Sequence, residues 1–499
     1  MTNNKSVTVQ TYKSRQPLEF KTIIKLDGES GKDIGKIHSI SAFTKITNRD
    51  VLESEMVISG ETTVFALYET DDGEFVECKG ETNWETKTMM LGANALVLTA
   101  KVIEQDIVGF DSSEITLNCL HNIEVEEIIN EEVSVEIEDS VGLEKDQETI
   151  EVSKVSGVGV GSTILEQEIE LQAGENTSIL TRNVEAIIDN TFAGVDVVTV
   201  SGNINVAISI SESGEIKNIV KTFPFKNEVE CFGANPGNQI IANVSVSKIM
   251  AGIREKEQNN VLALDIEIET SAISVSNEEI NVVRDAYSAV LDTSISAESV
   301  NINKLKNVGY GNVNVDFTAD LQDKLGVDEV VSVINPKLYV SGSVVENGEC
   351  VLDGVVVATI IYNNNNENNV QSFVSTCPFT ANFSVGEEYN AVDNFKIVVD
   401  SFKLKAGKEI QIDADIFYTL KNEEREQIAY VSNIEYLEGD KQDNTAIKVY
   451  TVKDGEKLFD IAKNLGVTIS NLLAQNPDLE SGVVPGEKVY VYIPLVINF

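Results

Sequence analysis

A chain of 499 residues with 42% hydrophobic residues and only 8 prolines is long enough for three or four globular domains, each burying its own core without metals or disulfides. Its 81 acidic and 38 basic residues give a formal charge of -43, which sets aside nucleic acid and anionic membranes as partners, because both are bound by exchanging counterions for Lys and Arg. Five scattered cysteines, Cys78, Cys119, Cys231, Cys350 and Cys377, form no Cys-x-x-Cys pair, so buried free thiols in a reducing compartment are expected rather than a zinc or redox centre.

The opening Met1-Thr2-Asn3-Asn4-Lys5 leads into polar, strand-like sequence, so neither a signal peptide nor an anchor is expected. No later stretch approaches the roughly 20 apolar residues that a membrane-spanning helix needs. The chain then repeats itself. Leu18-Glu19-Phe20 to Leu26-Asp27-Gly28 has counterparts at Leu165-Glu166-Gln167 to Leu171-Gln172-Ala173 and at Val315-Asp316-Phe317 to Leu321-Gln322-Asp323. Each opening precedes a hydrophobic run built around a glycine: Val57-Ile58-Ser59-Gly60, Thr199-Val200-Ser201-Gly202 and Val351-Leu352-Asp353-Gly354. Downstream, Phe223-Pro224-Phe225 matches Cys377-Pro378-Phe379, and Leu91-Gly92-Ala93-Asn94 matches Phe232-Gly233-Ala234-Asn235. The first copy has Asn83-Trp84-Glu85 near where the others carry x-Pro-Phe. Ordered similarity at several sites marks a tandem repeat.

The copies close on strict alternation. Leu262, Leu264, Ile266 and Ile268 alternate with Ala263, Asp265, Glu267 and Glu269, and Ile410, Ile412, Ala414 and Ile416 with Gln411, Asp413 and Asp415. That is the period of a strand with one buried face. The expected fold is therefore mainly β: three tandem antiparallel β-sandwich or barrel domains at residues 1–145, 146–293 and 294–440. Residues 138–162, with Gly157-Val158-Gly159-Val160-Gly161, and residues 292–312, with Gly309-Tyr310-Gly311, are expected to link the copies. Residues 438–445 read as a polar connection, and the Asn-rich stretch 363–369 as a hairpin tip.

From residue 446 the period changes, and five lysines nearly balance six carboxylates. Val449-Tyr450-Thr451-Val452 reads as a strand. Leu458, Ile461, Ala462 and Leu465 fall on one face of a helix, with Asp454 as its N-cap and Gly466 as its stop. Thr468 caps a second helix carrying Ile469, Leu472 and Leu473 that runs into Asn476-Pro477, and Val489-Tyr490-Val491 closes a βααβ unit. Tyr450-Thr451-Val452, Gly455-Glu456-x-Leu458, Ile461-Ala462, Gly466-Val467-Thr468, Leu472, Asn476-Pro477-x-Leu479, Gly486 and Val489 closely resemble the LysM family. The resemblance implies a shallow groove for N-acetylglucosamine-containing glycans, formed here by Asp454, Gly455 and Glu456 facing Asn476, Pro477, Asp478 and Leu479. The same residues also have purely structural readings, Asp454 as a cap and Asn476-Pro477 as a chain stop.

Catalytic chemistry is poorly supplied. His38 and His121 are the only histidines, and His121 falls in register with Ile115, Leu117, Cys119, Ile123 and Val125 as a core or edge residue. Gly157 to Gly161 lacks the Lys-Ser/Thr of a P-loop and the spacing of a dinucleotide fold. Glu124-Val125-Glu126-Glu127 and Glu131-Glu132 lack EF-hand spacing and read as solvated faces. No enzyme, cofactor or metal is expected.

Taken whole, the chain resembles a clostridial family of spore-coat morphogenetic (encasement) proteins, in which acidic β-rich repeats precede one LysM domain. The glycine-centred runs, the x-Pro-Phe sites and Asp285-Ala286-Tyr287-Ser288 carry that resemblance. It implies a non-enzymatic adaptor in the mother-cell cytoplasm at the forespore surface, whose LysM domain docks the coat-basement morphogenetic ATPase or another coat protein. The alternative is a binder of peptidoglycan in the wall or cortex, or a phage tail component. Neither reading involves nucleic acid or membrane insertion. The apolar end Leu495-Val496-Ile497-Asn498-Phe499 is expected either to join the docking surface or to fold back on the chain.

Overall fold

The computed structural model describes residues 5–14, 16–52, 55–89, 94–136, 140–171, 177–212, 215–256, 259–321, 327–364, 369–405, 409–440 and 447–492. Residues 365–368 of the expected hairpin tip at 363–369, most of the connection at 438–445 and the apolar end at 495–499 lie outside the described residues. The first copy comprises β1 (Lys5–Ser14), β2 (Leu18–Asp27), β3 (Ile34–Leu52), β4 (Glu55–Thr70), β5 (Phe75–Met89), β6 (Asn94–Phe110) and β7 (Glu114–Glu136). The second comprises β8 (Leu143–Glu170), β9 (Thr177–Ala193), β10 (Val197–Glu212), β11 (Glu215–Glu230), β12 (Gln239–Lys256) and β13 (Asn259–Ser288). The third comprises β14 (Leu291–Asp320), β15 (Val327–Glu346), β16 (Glu349–Asn364), β17 (Asn369–Ser384), β18 (Ala391–Lys405) and β19 (Glu409–Asp440). The C-terminal unit is β20 (Ile447–Thr451), α1 (Leu458–Leu465), α2 (Ile469–Gln475), a 3-10 turn at Pro477–Ser481 and β21 (Lys488–Tyr492).

Every copy uses one topology. A meander forms one antiparallel sheet (β3-β4-β5, β9-β10-β11, β15-β16-β17), and the first strand pairs with the last, beside the penultimate strand, in the other (β12-β13-β8, β14-β19-β18). In the first copy, the opening strand is split into β1 and β2, both paired to β7. Pro17 sits in the gap, and proline has no N–H to give to a ladder. The two sheets face each other, with Ile204, Val206 and Ile208 of β10 packed in one core with Leu262, Leu264 and Ile266 of β13. The mainly β expectation therefore holds, and each copy is a sandwich.

The repeated glycine has one cause in all three copies. Gly60, Gly202 and Gly354 each lie where the neighbouring strand bulges, at Ile46/Asn48, Ser201/Gly202 and Val340/Gly342. Across the sheet they pair with Trp84, Phe225 and Phe379. A Cβ on Gly60 would come within 2.1 Å of the Trp84 ring, and one on Gly202 within 1.9 Å of the Ile187 carbonyl oxygen. Trp84 is thus the first copy's equivalent of the phenylalanine in x-Pro-Phe. Pro224 and Pro378 are tolerated because β11 and β17 are edge strands.

Within the segments expected to be linkers, residues 143–162 and 292–312 are instead strand. Gly157, Gly159 and Gly161 lie inside β8, opposite Ser274, Ala272 and Thr270 of β13, and Gly309 and Gly311 lie inside β14 opposite Leu420 and Tyr418. Glycine is needed because a Cβ on Gly157 or Gly159 would meet the carbonyl oxygens of Phe232 at 2.4 Å or Glu230 at 2.1 Å. The other sheet crosses β8 at backbone contact distance. Beyond this crossing, the first and last strands of each copy continue as two-stranded ribbons. The ribbons pack together, burying Val133, Ile150 and Val152, Ile280 and Val282, Val300 and Ile302, and Ile428 and Tyr430 in one cluster.

The copies also meet cyclically, the meander of each against the penultimate strand of another. β3 packs on β12 and β9 on β18, while Lys337 of β15 donates to the Ile103 carbonyl of β6 at 3.0 Å. Leu67, Leu180, Ile334 and Ile361 share a small core at the junction. Cations occupy these seams: Lys45 and Arg49 pair with Glu267 and Glu269, and Lys248 with Glu61 at 3.0 Å. All five cysteines are buried and free, and burial pushes the Cys78 and Cys119 thiols up to about 11.

Two outcomes follow from this packing. Gly202→Ala forces a backbone shift and should lower unfolding stability by about 1–3 kcal/mol, whereas Gly252→Ala, with nothing within 4 Å of its Cβ, should stay within about 0.5 kcal/mol; parallel urea titrations compare them. His121 is fully buried, stacked on Phe20 at 4.7 Å with Nε2 2.8 Å from Thr22 Oγ1. Burial pushes its imidazole down from 6.5 to about 4. The unfolded chain therefore takes up a proton that the folded chain refuses, so this contribution to stability is complete above pH 6.5 and is lost as pH falls toward 4. His121→Leu should flatten that limb of the stability profile by an amount on the order of 3 kcal/mol, read from denaturant midpoints at each pH.

Candidate functional site

The C-terminal unit builds its core from both helices and one face of a two-stranded sheet. Phe459, Ile461, Ala462 and Leu465 of α1, Leu472 of α2, and Val489 and Val491 of β21 form one cluster. Gly466 ends α1 in the left-handed region at φ 68°, and Thr468 caps α2 by accepting from the Asn471 N–H at 3.2 Å. The N-cap of α1 is Lys457 rather than the expected Asp454. The Asp460 carboxylate reaches back to the Lys457 N–H at 2.8 Å and takes over the capping role. Asp454 is left exposed in the preceding turn, where Gly455 adopts φ 78°.

The seven candidate groove residues separate into three kinds. Asp454, Gly455, Pro477 and Asp478 lie at the surface, and Leu479 is buried in the core. Glu456 and Asn476 are engaged internally. The Glu456 carboxylate accepts from the Tyr450 hydroxyl at 2.5 Å and from the Lys453 N–H at 2.8 Å, and these bonds, the hydroxyl's first, hold its pKa below the usual carboxylate value. The Asn476 amide donates to the Leu472 and Tyr490 carbonyls at 2.9 and 2.7 Å and accepts from the Tyr490 N–H at 3.0 Å. Gln475 treats Tyr492 in the same way, donating to its carbonyl at 3.2 Å and accepting from its N–H at 2.6 Å. The two amides complete the free edge of β21 as a short backbone strand would.

Sequence reasoning did not find the other face of this sheet. Ile447 pairs with Tyr492 and Val449 with Tyr490, and residues directly opposite in a ladder point to the same side. These four side chains are 61%, 58%, 56% and 52% exposed. The only signal was their alternation with Val489 and Val491, which is the ordinary pattern of a strand with one buried face.

The unit is mounted on the second copy's ribbon by its helices. Tyr287 of β13 joins the α1 core, stacking edge-on against Phe459 at 5.2 Å and donating its hydroxyl proton to the Val467 carbonyl at 2.8 Å. Glu144 of β8 accepts from the Ile469 N–H at 3.0 Å, at the start of α2. Lys463 pairs with Asp285, and Lys457 with Asp146 at 3.5 Å. The Asp285-Ala286-Tyr287-Ser288 motif thus has a physical role. Asp285 and Tyr287 hold the C-terminal unit, Ala286 packs between ribbons with Val431 and Ile434, and Ser288 accepts from the Leu291 N–H at 3.0 Å to turn the chain.

Tyr287→Phe removes one hydrogen bond worth about 1 kcal/mol, and Tyr287→Ala also removes the aromatic contact. Amide hydrogen exchange at Val467 and Ile469 should accelerate modestly in the first variant and strongly in the second, with β10 amides unchanged.

Among the described residues, no helix is long and apolar enough to cross a membrane, and no group of His, Cys, Asp or Glu side chains is arranged to hold a metal. Residues 177–254, spanning β9 to β12, match the family described as SipL, SPOCS domain, and residues 450–491 match the LysM domain. Both are binding rather than catalytic domain types. Comparison with curated proteins and with solved structures found no match. The chain therefore joins a sporulation-related SPOCS domain of the SipL type to a C-terminal LysM domain, the pairing of the spore-coat family that its sequence resembles.

Proposed function

We propose that this chain is a non-enzymatic adaptor of spore-coat assembly, in which the SPOCS-type repeats hold a LysM domain so that its exposed sheet face and groove dock a coat morphogenetic protein. The observation that carries this reading is the patch of Ile447, Val449, Tyr490 and Tyr492, all more than half exposed on the side of the domain away from the helices that grip the ribbon. Contiguous aromatic and aliphatic side chains of this kind are the anchors of protein interfaces, where burying one contributes roughly 1.5–3 kcal/mol. Conversely, the polar side chains offered to a sugar are few. Asn476 and Glu456 are already engaged in internal bonds, leaving Asp454, Asp478 and backbone groups as the ones free of them.

The second reading is peptidoglycan binding, which the LysM match itself favours. A single LysM domain lacks the avidity that tandem copies provide. The two readings part in one experiment with the full chain: capture of the purified coat-basement ATPase beside sedimentation on purified peptidoglycan. The adaptor reading expects ATPase capture that Val449→Asp and Tyr490→Ala each weaken at least tenfold, with circular dichroism unchanged. Retention on peptidoglycan that Asp454→Ala and Asp478→Ala abolish, with no ATPase capture, establishes the second reading in its place.

A further inference from the structure

A cavity of about 280 Å³ opens where the three copies meet, walled by β3 and β6, β9 and β12, and β15 and β18. Its lining is cationic in a protein of charge -43. Lys101 comes from the first copy, Arg182 from the second, and Lys337 and Lys396 from the third, with Glu185 the one carboxylate among the lining residues. Lys396 is satisfied within the fold, donating to the Ala186 and Val244 carbonyls at 2.6 Å each and pairing with Glu185 at 3.1 Å. The other three are not matched in this way. Lys337 donates only to neutral acceptors, the Ile103 carbonyl at 3.0 Å and Gln105 Oε1 at 2.8 Å, and has no ion pair among the described residues. Lys101 reaches a carboxylate, Glu124, only at 4.0 Å. Arg182 pairs with Glu77 through one terminal nitrogen and lies 4.1 Å from the centre of the Phe65 ring, yet its Nε is buried with no acceptor.

We propose that this cavity binds a small multivalent oxyanion of the phosphate class, held by Lys101, Arg182 and Lys337, one cation from each copy. Desolvating cations costs stability unless an anion compensates them, and burial pulls Lys337 below its ordinary pKa and Arg182 down to about 10. The chain has more than twice as many acids as bases, so a lining with this sign is opposite to its bulk composition. Lys101 and Glu185 each keep 36% of their side-chain surface exposed, which leaves an entrance from solvent. An ion seated here would bridge all three copies.

The test is calorimetric titration of inorganic phosphate into the full chain at constant ionic strength, with melting compared in phosphate and in chloride. The proposal expects saturable binding and a higher melting temperature in phosphate. The Lys101→Gln/Lys337→Gln variant should bind at least tenfold more weakly and lose the melting difference, with circular dichroism unchanged. Heats that do not saturate, or an affinity unchanged in the double variant, overturn it. Should the double variant not fold, the exposed position decides alone: Lys101→Gln must weaken phosphate binding several-fold, and an unchanged affinity overturns the proposal.

Discussion

The packing of three two-stranded ribbons against one another is the constraint on which this molecule depends. Each ribbon is the continuation of a sandwich's first and last strands, and taken singly it would present Ile150 and Val152, or Ile280 and Val282, to water. Two strands alone are marginal. Three ribbons together bury those residues with Val300, Ile302, Ile428 and Tyr430, so the copies are bound to one another by the same strands that complete each of them. Hydrogen bonds tie the seams further: Ser153 Oγ accepts from the Leu305 N–H at 2.7 Å, and Asn277 donates to the Leu305 carbonyl at 3.2 Å.

Charge is distributed with the same logic. Most carboxylates face solvent, where they keep the surface hydrated, while Lys45, Arg49, Lys248 and Lys396 stand at contacts between copies. Exposed ion pairs contribute little; at these seams the partners are partly buried, and where the carboxylate is the more enclosed a missing cation is costly, since it would strand a group such as Glu269, already raised in pKa by burial. Repulsion within an acidic chain is thereby relieved where the copies must approach.

Much of this was legible before any coordinate. The glycine-centred runs mark central strands, and the alternating runs at 262–268 and 410–416 mark last strands. The helical face of α1, its stop at Gly466 and the α2 cap at Thr468 stand where the LysM pattern puts them. Other features were hidden for identifiable reasons. Gly157 to Gly161 has the composition of a flexible link, and only the backbone of residues 230–232 lying across β8 shows why side chains are excluded there. Trp84 looked like a departure from x-Pro-Phe until its pairing with Gly60 made it an equivalent ring over an equivalent glycine. Lys457 displaced Asp454 as the helix cap because an acid three residues on can satisfy the same N–H, an exchange that the identity of the capping residue alone does not reveal.

The pairing of first strand with last also dictates when the protein can take shape on the ribosome. β8 finds its ladder only in β13, and β14 only in β19, so each sheet must wait until the whole copy has been synthesised, whereas the meanders between them can zip as they emerge. Such long-range closure makes for high contact order and slow maturation. The LysM domain emerges after all three copies, onto a ribbon end whose docking residues, Tyr287 and Glu144, were made well before it. A molecule that stalls before the LysM domain is made leaves the Tyr287 ring without the Phe459 face that covers it.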